Sequence, residues 1–385
     1  MARKTKQEIQ ELCKKYNTDR MWSWSRFNCY RNSPYEYYLS YVKREKEDRE
    51  DSIYGASGGF AHDILEKFYK KEITYEQLSE EFEDAWTTLV IADLKFDRTD
   101  EVKNKNIEEK YVYDLRHFFK AHTPIKHKME LERFIIIKVG KYVFQGYIDA
   151  VYRNDDGNFN IIDWKTSSLY RGKKTIQESG QLVLYAEGLH QLGIPLEKIK
   201  IGWNFLKYVS VTIQQANGKT NKRQIERCKI GSSLKANAKM WLKKTGYEDK
   251  IDYYINLLEQ TNDIKSLPEE VQEKYEVRDC YVYVDLTQAM IDDLKQEIIE
   301  TLDEIMKKEN QYKATNDDSI FFDSEESVKT QSYYFANLCG YSANLHKPYK
   351  KFLEGLESKK SNNVFLHDEK KESDKGLDLS WLDEL

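Results

Sequence analysis

The stretch Tyr142 to Lys165, YVFQGYIDAVYRNDDGNFNIIDWK, decides how this chain is read. Two β-rich runs, Tyr142 to Tyr152 and Phe159 to Lys165, flank Asn154-Asp155-Asp156-Gly157, a turn signal that folds the second run back on the first. Side chains along a strand alternate between faces, so Asp163 and Lys165, two residues apart, share one face. Asp149 lies in the neighbouring run, where it can meet Asp163. That face then carries two carboxylates and an amine. Burying such a trio without a ligand is costly. Two carboxylates that share hard divalent cations, with a lysine beside the attacking water, form a coherent hydrolytic site. From these three residues alone, a strand-end ion pair of Lys165 with either acid is the structural alternative.

Working outward, Phe134 to Val139 reads as a further strand behind the turn at Gly140, and the periodicity changes from helical to alternating near Glu132. Upstream, GGFAHDILEKFYKKE from Gly58 is helical, and His62, Leu65, Glu66 and Tyr69 fall on one face of it. More charged helices fill Thr74 to Ala121. Downstream, Thr175 to Leu192 predicts a helix closed by Gly193 and Pro195, with Gln181 and Tyr185 at i and i+4 on one face. Lys198 to Gln214 returns to strand character. A strand, helix, strand crossover follows, so the expected fold is α/β, a mixed central β-sheet flanked by helices. Asn217-Gly218 marks a hairpin running back through Lys222 to Ile230, and residues 232–276 read as a helical insertion before the strand Val277 to Val284. Gln288 to Lys308 is a long charged helix.

The ends and the composition bound the function. Residues 1–20 read as a charged helix, residues 21–353 as one domain, and residues 354–385 as a flexible acidic and apolar tail. With 61 Lys and Arg against 66 Asp and Glu, the net charge of −5 excludes a protein that binds nucleic acid by bulk charge, so any basic site must be local. A mean hydropathy of −0.79 and the lack of a long apolar run argue against a membrane span and for a cytoplasmic protein. The five cysteines form no CxxC and read as reduced thiols.

His62 in GGFAHDILEKFY, Asp149 in GYIDAV, Asp163 and Lys165 in IIDWKTS, and Gln181 and Tyr185 in QLVLYA form an ordered set. In residue order, element type and spacing it resembles the RecB-like branch of the PD-(D/E)XK nuclease superfamily. The resemblance implies a restriction-endonuclease-like core with helical insertions and a metal-dependent deoxyribonuclease, with exonuclease action in DNA recombination, repair or degradation. The chain's tyrosine- and lysine-rich form without cluster cysteines suggests a stand-alone type of the kind that bacteriophages or low-GC bacteria encode, phage-encoded in the first reading and then acting in the host cytoplasm. It also implies that His62, Asp149, Asp163 and the carbonyl of Trp164 bind Mg²⁺ or Mn²⁺. By the same resemblance Lys165 serves the attacking water, and Gln181 with Tyr185 supports the site and the DNA strand. Glu66 has no assigned role. Many relatives hold a four-iron cluster on one early and three late cysteines. Here Ser33-Pro34 stands at the early position and the late region offers only Cys339, with His346 nearby, so no iron–sulfur cluster is expected. A rearranged Cys29, Cys339, His346 metal site stays open.

Arg26 in the aromatic block Met21 to Val42, and Arg171, Lys173 and Lys174 after the Asp163 strand, are candidate nucleic-acid contacts. In the tail, Leu377, Leu379, Trp381 and Leu382 of GLDLSWLDEL read either as a docking peptide for a sliding clamp, a single-stranded DNA-binding protein or RNA polymerase, or as an apolar tip that folds back on the core. Two other function classes compete: a non-catalytic DNA- or protein-binding platform on a nuclease fold, and a tail-tethered accessory factor of the replication or transcription machinery. The intact Asp, Asp, Lys set argues against the first.

Overall fold

A computed structural model describes residues 4–49, 52–97 and 100–364, with side chains to residue 358. The chain opens with α1 (Lys6–Lys15), α2 (Trp24–Asn32) and α3 (Pro34–Tyr37), then α4 (Ile53–Tyr69), α5 (Gln77–Ile91) and α6 (Glu101–Ala121). Strands β1 (Met129–Val139), β2 (Tyr142–Arg153) and β3 (Phe159–Lys165) follow, then α7 (Lys173–Gln177), α8 (Gly180–Gln191), β4 (Ile199–Gln214) and β5 (Thr220–Glu226). Next come α9 (Ile230–Lys244), α10 (Ile251–Thr261), α11 (Glu269–Gln272), β6 (Tyr275–Val284), α12 (Gln288–Thr315), α13 (Glu325–Thr330) and α14 (Lys347–Val364). The chain divides into two compact units, one of residues 1–5, 53–137 and 146–294, the other of residues 6–52, 138–145 and 295–385.

The first unit is built on a mixed six-stranded sheet in the order β1-β2-β3-β4-β5, with β6 also paired to β4. β2 and β3 are antiparallel, while β3 and β4 are parallel and joined by the α7–α8 crossover. β4 pairs β3 through Phe205 and β5 from Tyr208 onward, and β6 pairs both halves of β4. β3 and β5 therefore lie end to end on one edge of β4, with β6 on the other. The turn before β3 is the expected one: Gly157 takes φ +79°, and Asn154 Oδ1 accepts from the Asn158 N–H at 2.9 Å.

One face of this sheet packs Ala150, Ile162, Trp164 and Leu206 against α4, α5 and α6, in a core that includes Leu65, Phe82, Trp86, Leu115 and Phe119. The opposite face carries Asp163 and Lys165 and receives α8, where a Cβ on Gly188 would stand 2.6 Å from Ile135. The inserted segment is helical as expected, and α9 to α11 bury Leu234, Leu242 and Leu258 with Val209, Val211 and Ile213 of β4. The predicted strand to Ile230 ends early, at Glu226, because Arg227 turns inward to donate to the Leu206 carbonyl at 2.7 Å and the Asp279 carboxylate at 2.6 Å. The predicted helix 175–192 is two helices, since Ser179 turns its hydroxyl back on the Ile176 carbonyl at 2.7 Å between them.

The second unit is aromatic. Ser23 caps α2 through the Arg26 N–H, and Ser33 caps α3, with Pro34 in its first turn, through the Glu36 N–H at 3.0 Å. Tyr37, Tyr38, Tyr312 and Phe321 pack ring on ring. Arg20 donates two bonds to buried Glu309, at 2.8 and 2.7 Å. Helix α14 continues to Val364, so the sequence boundary at residue 353 falls within it. No helix among the described residues is long and apolar enough to cross a membrane.

Candidate active site

The last paired positions of β2 and β3 are Ala150 and Ile162. One step further the register brings Asp149 opposite Asp163, on the face turned away from Ile162 and Trp164. The strands stop pairing where the carboxylates begin. Lys165, on the same face, donates from Nζ to Asp163 Oδ2 at 2.7 Å. Burial works against ionisation of Asp163, but Lys165 and hydrogen bonds from Asp149 and Lys165 outweigh it and hold the carboxyl below its usual range. Burial and the facing Asp163 push Asp149 well up. One lysine faces two adjacent carboxylates, and its charge favours Asp163, to which it is bonded.

His62 approaches from α4. A carbonyl only accepts, so His62 Nε2–H donates to the Trp164 carbonyl oxygen, at 2.7 Å, which leaves Nδ1 directed at Asp149 Oδ2, 3.4 Å away. On α8, Gln181 Nε2 donates to Tyr185 Oη at 3.1 Å, and burial pushes the Tyr185 phenol up to about 12. A Cβ on Gly146 would stand 2.5 Å from the Tyr185 ring, so β2 lacks a side chain where that ring is seated.

The structure thus brings together His62, Asp149, Asp163, Trp164, Lys165, Gln181 and Tyr185. Arg171, Lys173 and Lys174 are exposed on the segment after β3, with Lys174 Nζ 5.5 Å from the Tyr170 ring centre. Arg26 belongs to the second unit, where its guanidinium lies 4.8 Å from the Trp22 ring centre and donates to Tyr37 Oη at 2.9 Å. Glu66 bonds Lys70 one turn along its own helix. Leu377, Leu379, Trp381 and Leu382 lie outside the described residues. Two neighbours escaped the sequence reading. Glu132, whose charge adds to the upward push on Asp149, takes φ +47° within β1. Tyr170 packs edge-on against Trp203 and Phe205, and only its place five residues after Lys165 marked it.

The donor set fits a hard divalent cation. His62, Asp149 and Asp163 each offer a ligand atom within 4.8 Å of the others, and Asp149 Oδ2 is buried with no hydrogen-bond partner among the described residues. A second trio, Asp114, Glu226 and Cys228, has similar spacing, but Glu226 bonds Lys229 at 2.6 Å and Asp114 accepts from the Cys228 N–H at 2.7 Å. Cys29, Cys339 and His346 are not among the groups of ligand atoms found within 4.8 Å of one another among the described residues, and there His346 Nδ1 accepts from the Tyr349 N–H while Nε2 lies 3.1 Å from Ser33 Oγ.

The profile of the PD-(D/E)XK nuclease superfamily matches residues 21–319, and the matched span holds the whole constellation. The chain belongs to that superfamily. Its mixed, helix-flanked sheet is the restriction-endonuclease-like fold, and superfamily membership makes the protein a nuclease, a hydrolase of a class that uses divalent metal ions. Among solved structures, the crystal structure of SSO0001 is 19% identical over 52% of this chain and 76% of its own, with a TM-score of 0.17. No curated protein matches.

Proposed function

We propose that this PD-(D/E)XK protein is a RecB-like, Mg²⁺- or Mn²⁺-dependent deoxyribonuclease, an exonuclease of DNA recombination, repair or degradation, phage-encoded and acting in the host cytoplasm. The observation that carries this reading is the convergence of His62, Asp149, Asp163, Lys165, Gln181 and Tyr185 at the point where β2 and β3 part. His62, Asp149, Asp163 and the Trp164 carbonyl would hold the cation. When bound, a divalent ion neutralises phosphate oxygens and lowers the pKa of water.

The chain's own groups do the rest. Lys165, fixed on Asp163, presents its remaining N–H bonds to the attacking water and to charge that grows on the phosphate. Asp149, whose buried Oδ2 has no hydrogen-bond partner among the described residues, would offer that oxygen to the cation. Tyr185, oriented by Gln181, bounds the pocket with a phenol that burial keeps protonated and able to donate. A catalytically silent platform would have no need of a carboxylate pair that is short of one positive charge. Digestion of end-labelled linear and closed circular DNA with Mg²⁺ or Mn²⁺ tests this reading. Metal-dependent loss of linear DNA alone is expected. Nicking of circles replaces exonuclease with endonuclease, and no cleavage of either removes the reading.

A further inference from the structure

A second group of ligand atoms forms in the first unit, where the insertion leaves the sheet. β5 ends because Arg227 is drawn into the core, and the residues on either side of it, Glu226 and Cys228, come to rest against Asp114 of α6. One hydrogen bond fixes this corner, from the Cys228 N–H to Asp114 Oδ1 at 2.7 Å. A carboxylate oxygen of Asp114, another of Glu226 and the Cys228 sulfur lie within 4.8 Å of one another.

The bonds in this corner use one oxygen of each acid and leave the other. Asp114 is 1% exposed, and its Oδ2 is buried with no hydrogen-bond partner among the described residues. Burial of such an acceptor is costly unless something meets it. Glu226 Oε2 takes Lys229 at 2.6 Å, but that lysine side chain is 57% exposed and can return its ammonium to water. Glu226 and Cys228 are half-buried, so the corner is open to solvent. Lys207, in the irregular stretch of β4 between Phe205 and Val209, holds its ammonium 5.1 Å from the Tyr111 ring centre and makes no ion pair among the described residues. Its charge acts on Asp114, Glu226 and Cys228 alike. Three deprotonated ligands carry three negative charges, and a divalent cation together with Lys207 supplies three positive ones. The corner is then neutral without Lys229.

The donor chemistry separates this corner from the active site. His62, Asp149 and Asp163 bring no sulfur and suit a hard cation, whereas a thiolate beside two carboxylates selects an ion of intermediate softness and disfavours Mg²⁺. We propose that Asp114, Glu226 and Cys228 bind one divalent cation of the zinc class, with water as its fourth ligand, and that this ion pins α6 to the root of the α9–α11 insertion. As the ion enters, the Cys228 thiol gives its proton to solvent and Lys229 leaves Glu226. The site is independent of the nuclease reading.

The experiment titrates the full chain, stripped with EDTA and desalted, with Co²⁺. Cobalt reports a bound thiolate by a sulfur-to-metal charge-transfer band, which the sulfur-free ligands of the active site do not produce. Wild type should develop the band with one bound cobalt and lose it when Zn²⁺ displaces that ion. Cys228→Ser should show no band. Asp114→Asn keeps an oxygen for the Cys228 N–H and should still weaken cobalt binding at least about tenfold, the least that even an outer partner of a metal ligand contributes. Cys13→Ser, half-buried on α1, should match wild type, and Asp163→Asn should keep the band while it loses cleavage. Zn²⁺ should raise the melting temperature of wild type and Asp163→Asn but not of Cys228→Ser. No band in wild type, a band that survives in Cys228→Ser, or wild-type cobalt affinity in Asp114→Asn would overturn the site. A chain with a Cys228-dependent band that cleaves no DNA would overturn the nuclease reading and leave this site standing.

Discussion

Gly146→Ala should damage the active site without removing a single chemical group. The added Cβ would stand 2.5 Å from Tyr185 Cε1 and 3.1 Å from both Cζ and Oη. Comfortable carbon contacts begin near about 3.5 Å, so the ring or the strand must give by about 1 Å. Tyr185 is 7% exposed and sits on a helix packed on the sheet, which leaves the ring little room to turn aside. Overpacking of this kind costs about 1–3 kcal/mol, and a misplacement of about 1 Å at a positioning group can slow turnover about 100-fold. Tyr185→Phe is the milder comparison, because it keeps the ring and loses the hydroxyl with its bonds from Gln181 Nε2 and the Tyr147 main chain, each worth about 1 kcal/mol. Both proteins would be purified, their urea midpoints read by circular dichroism, and their Mn²⁺-dependent cleavage of labelled DNA measured at saturating substrate. The expected order is wild type, then Tyr185→Phe, then Gly146→Ala about 100-fold down and still folded. A Gly146→Ala protein with wild-type rate and midpoint would refute the claim that β2 needs glycine there to seat Tyr185.

Asp163→Asn and Lys165→Ala should each reduce cleavage at least about 1,000-fold with little change in melting temperature, and full activity in both would dismiss the assignment. Asp279→Ala leaves Arg227 buried without its carboxylate and should cost about 3–5 kcal/mol by urea denaturation, a loss below about 1 kcal/mol meaning that water enters to replace it. Burial pushes Asp114 up to about 7, so the folded chain holds this proton more tightly than the unfolded chain, and the stabilisation present below pH 4 is lost as pH rises toward 7. Asp114→Asn should therefore be near neutral at acid pH and stabilising by up to about 4 kcal/mol at pH 8, and equal effects at both pH values would contradict that titration. A labelled Gly376–Leu385 peptide is expected to bind a sliding clamp, a single-stranded DNA-binding protein or RNA polymerase, and anisotropy that stays flat with all three ends that proposal.

What the sequence made legible was local in period. The alternation in β2 and β3, and the i, i+4 spacing of Gln181 and Tyr185, are short-range properties, and both carried through to the structure. Glu226 was read as strand interior, because nothing near it reveals that Arg227 finds its partner 52 residues away in β6. The pairing of β6 with β4 is equally non-local. Around Arg26 the structure adds what spacing cannot give, since the ring centres of Trp22, Tyr37 and Tyr41 lie 4.8, 5.4 and 4.9 Å from the guanidinium.

Two buried ionic clusters of the first unit show what separates a structural network from a site. Around Asp279, both carboxylate oxygens are bonded: Oδ1 accepts from Arg227, and Oδ2 accepts from His122 Nδ1 at 2.6 Å and the Thr123 N–H at 2.9 Å. His122 passes its other nitrogen to Tyr69 Oη at 2.9 Å, and the Tyr69 ring stacks on Trp164 at 6.1 Å. Every polar atom in that chain has a protein partner, which is how burial of charge becomes tolerable. The Asp149, Asp163, Lys165 cluster uses the same residue types and ends differently, with two acids on one amine and one carboxylate oxygen orphaned. The chain could relieve that deficit with a second basic residue, as it does at Glu309 with Arg20 and Arg26. It instead places an imidazole whose Nε2 donates to a main-chain carbonyl and whose Nδ1 lies 3.4 Å from Asp149 Oδ2. A site short of positive charge, ringed by lone pairs and anchored to the satisfied network through Trp164, is preorganised for a cation and the phosphate that follows it.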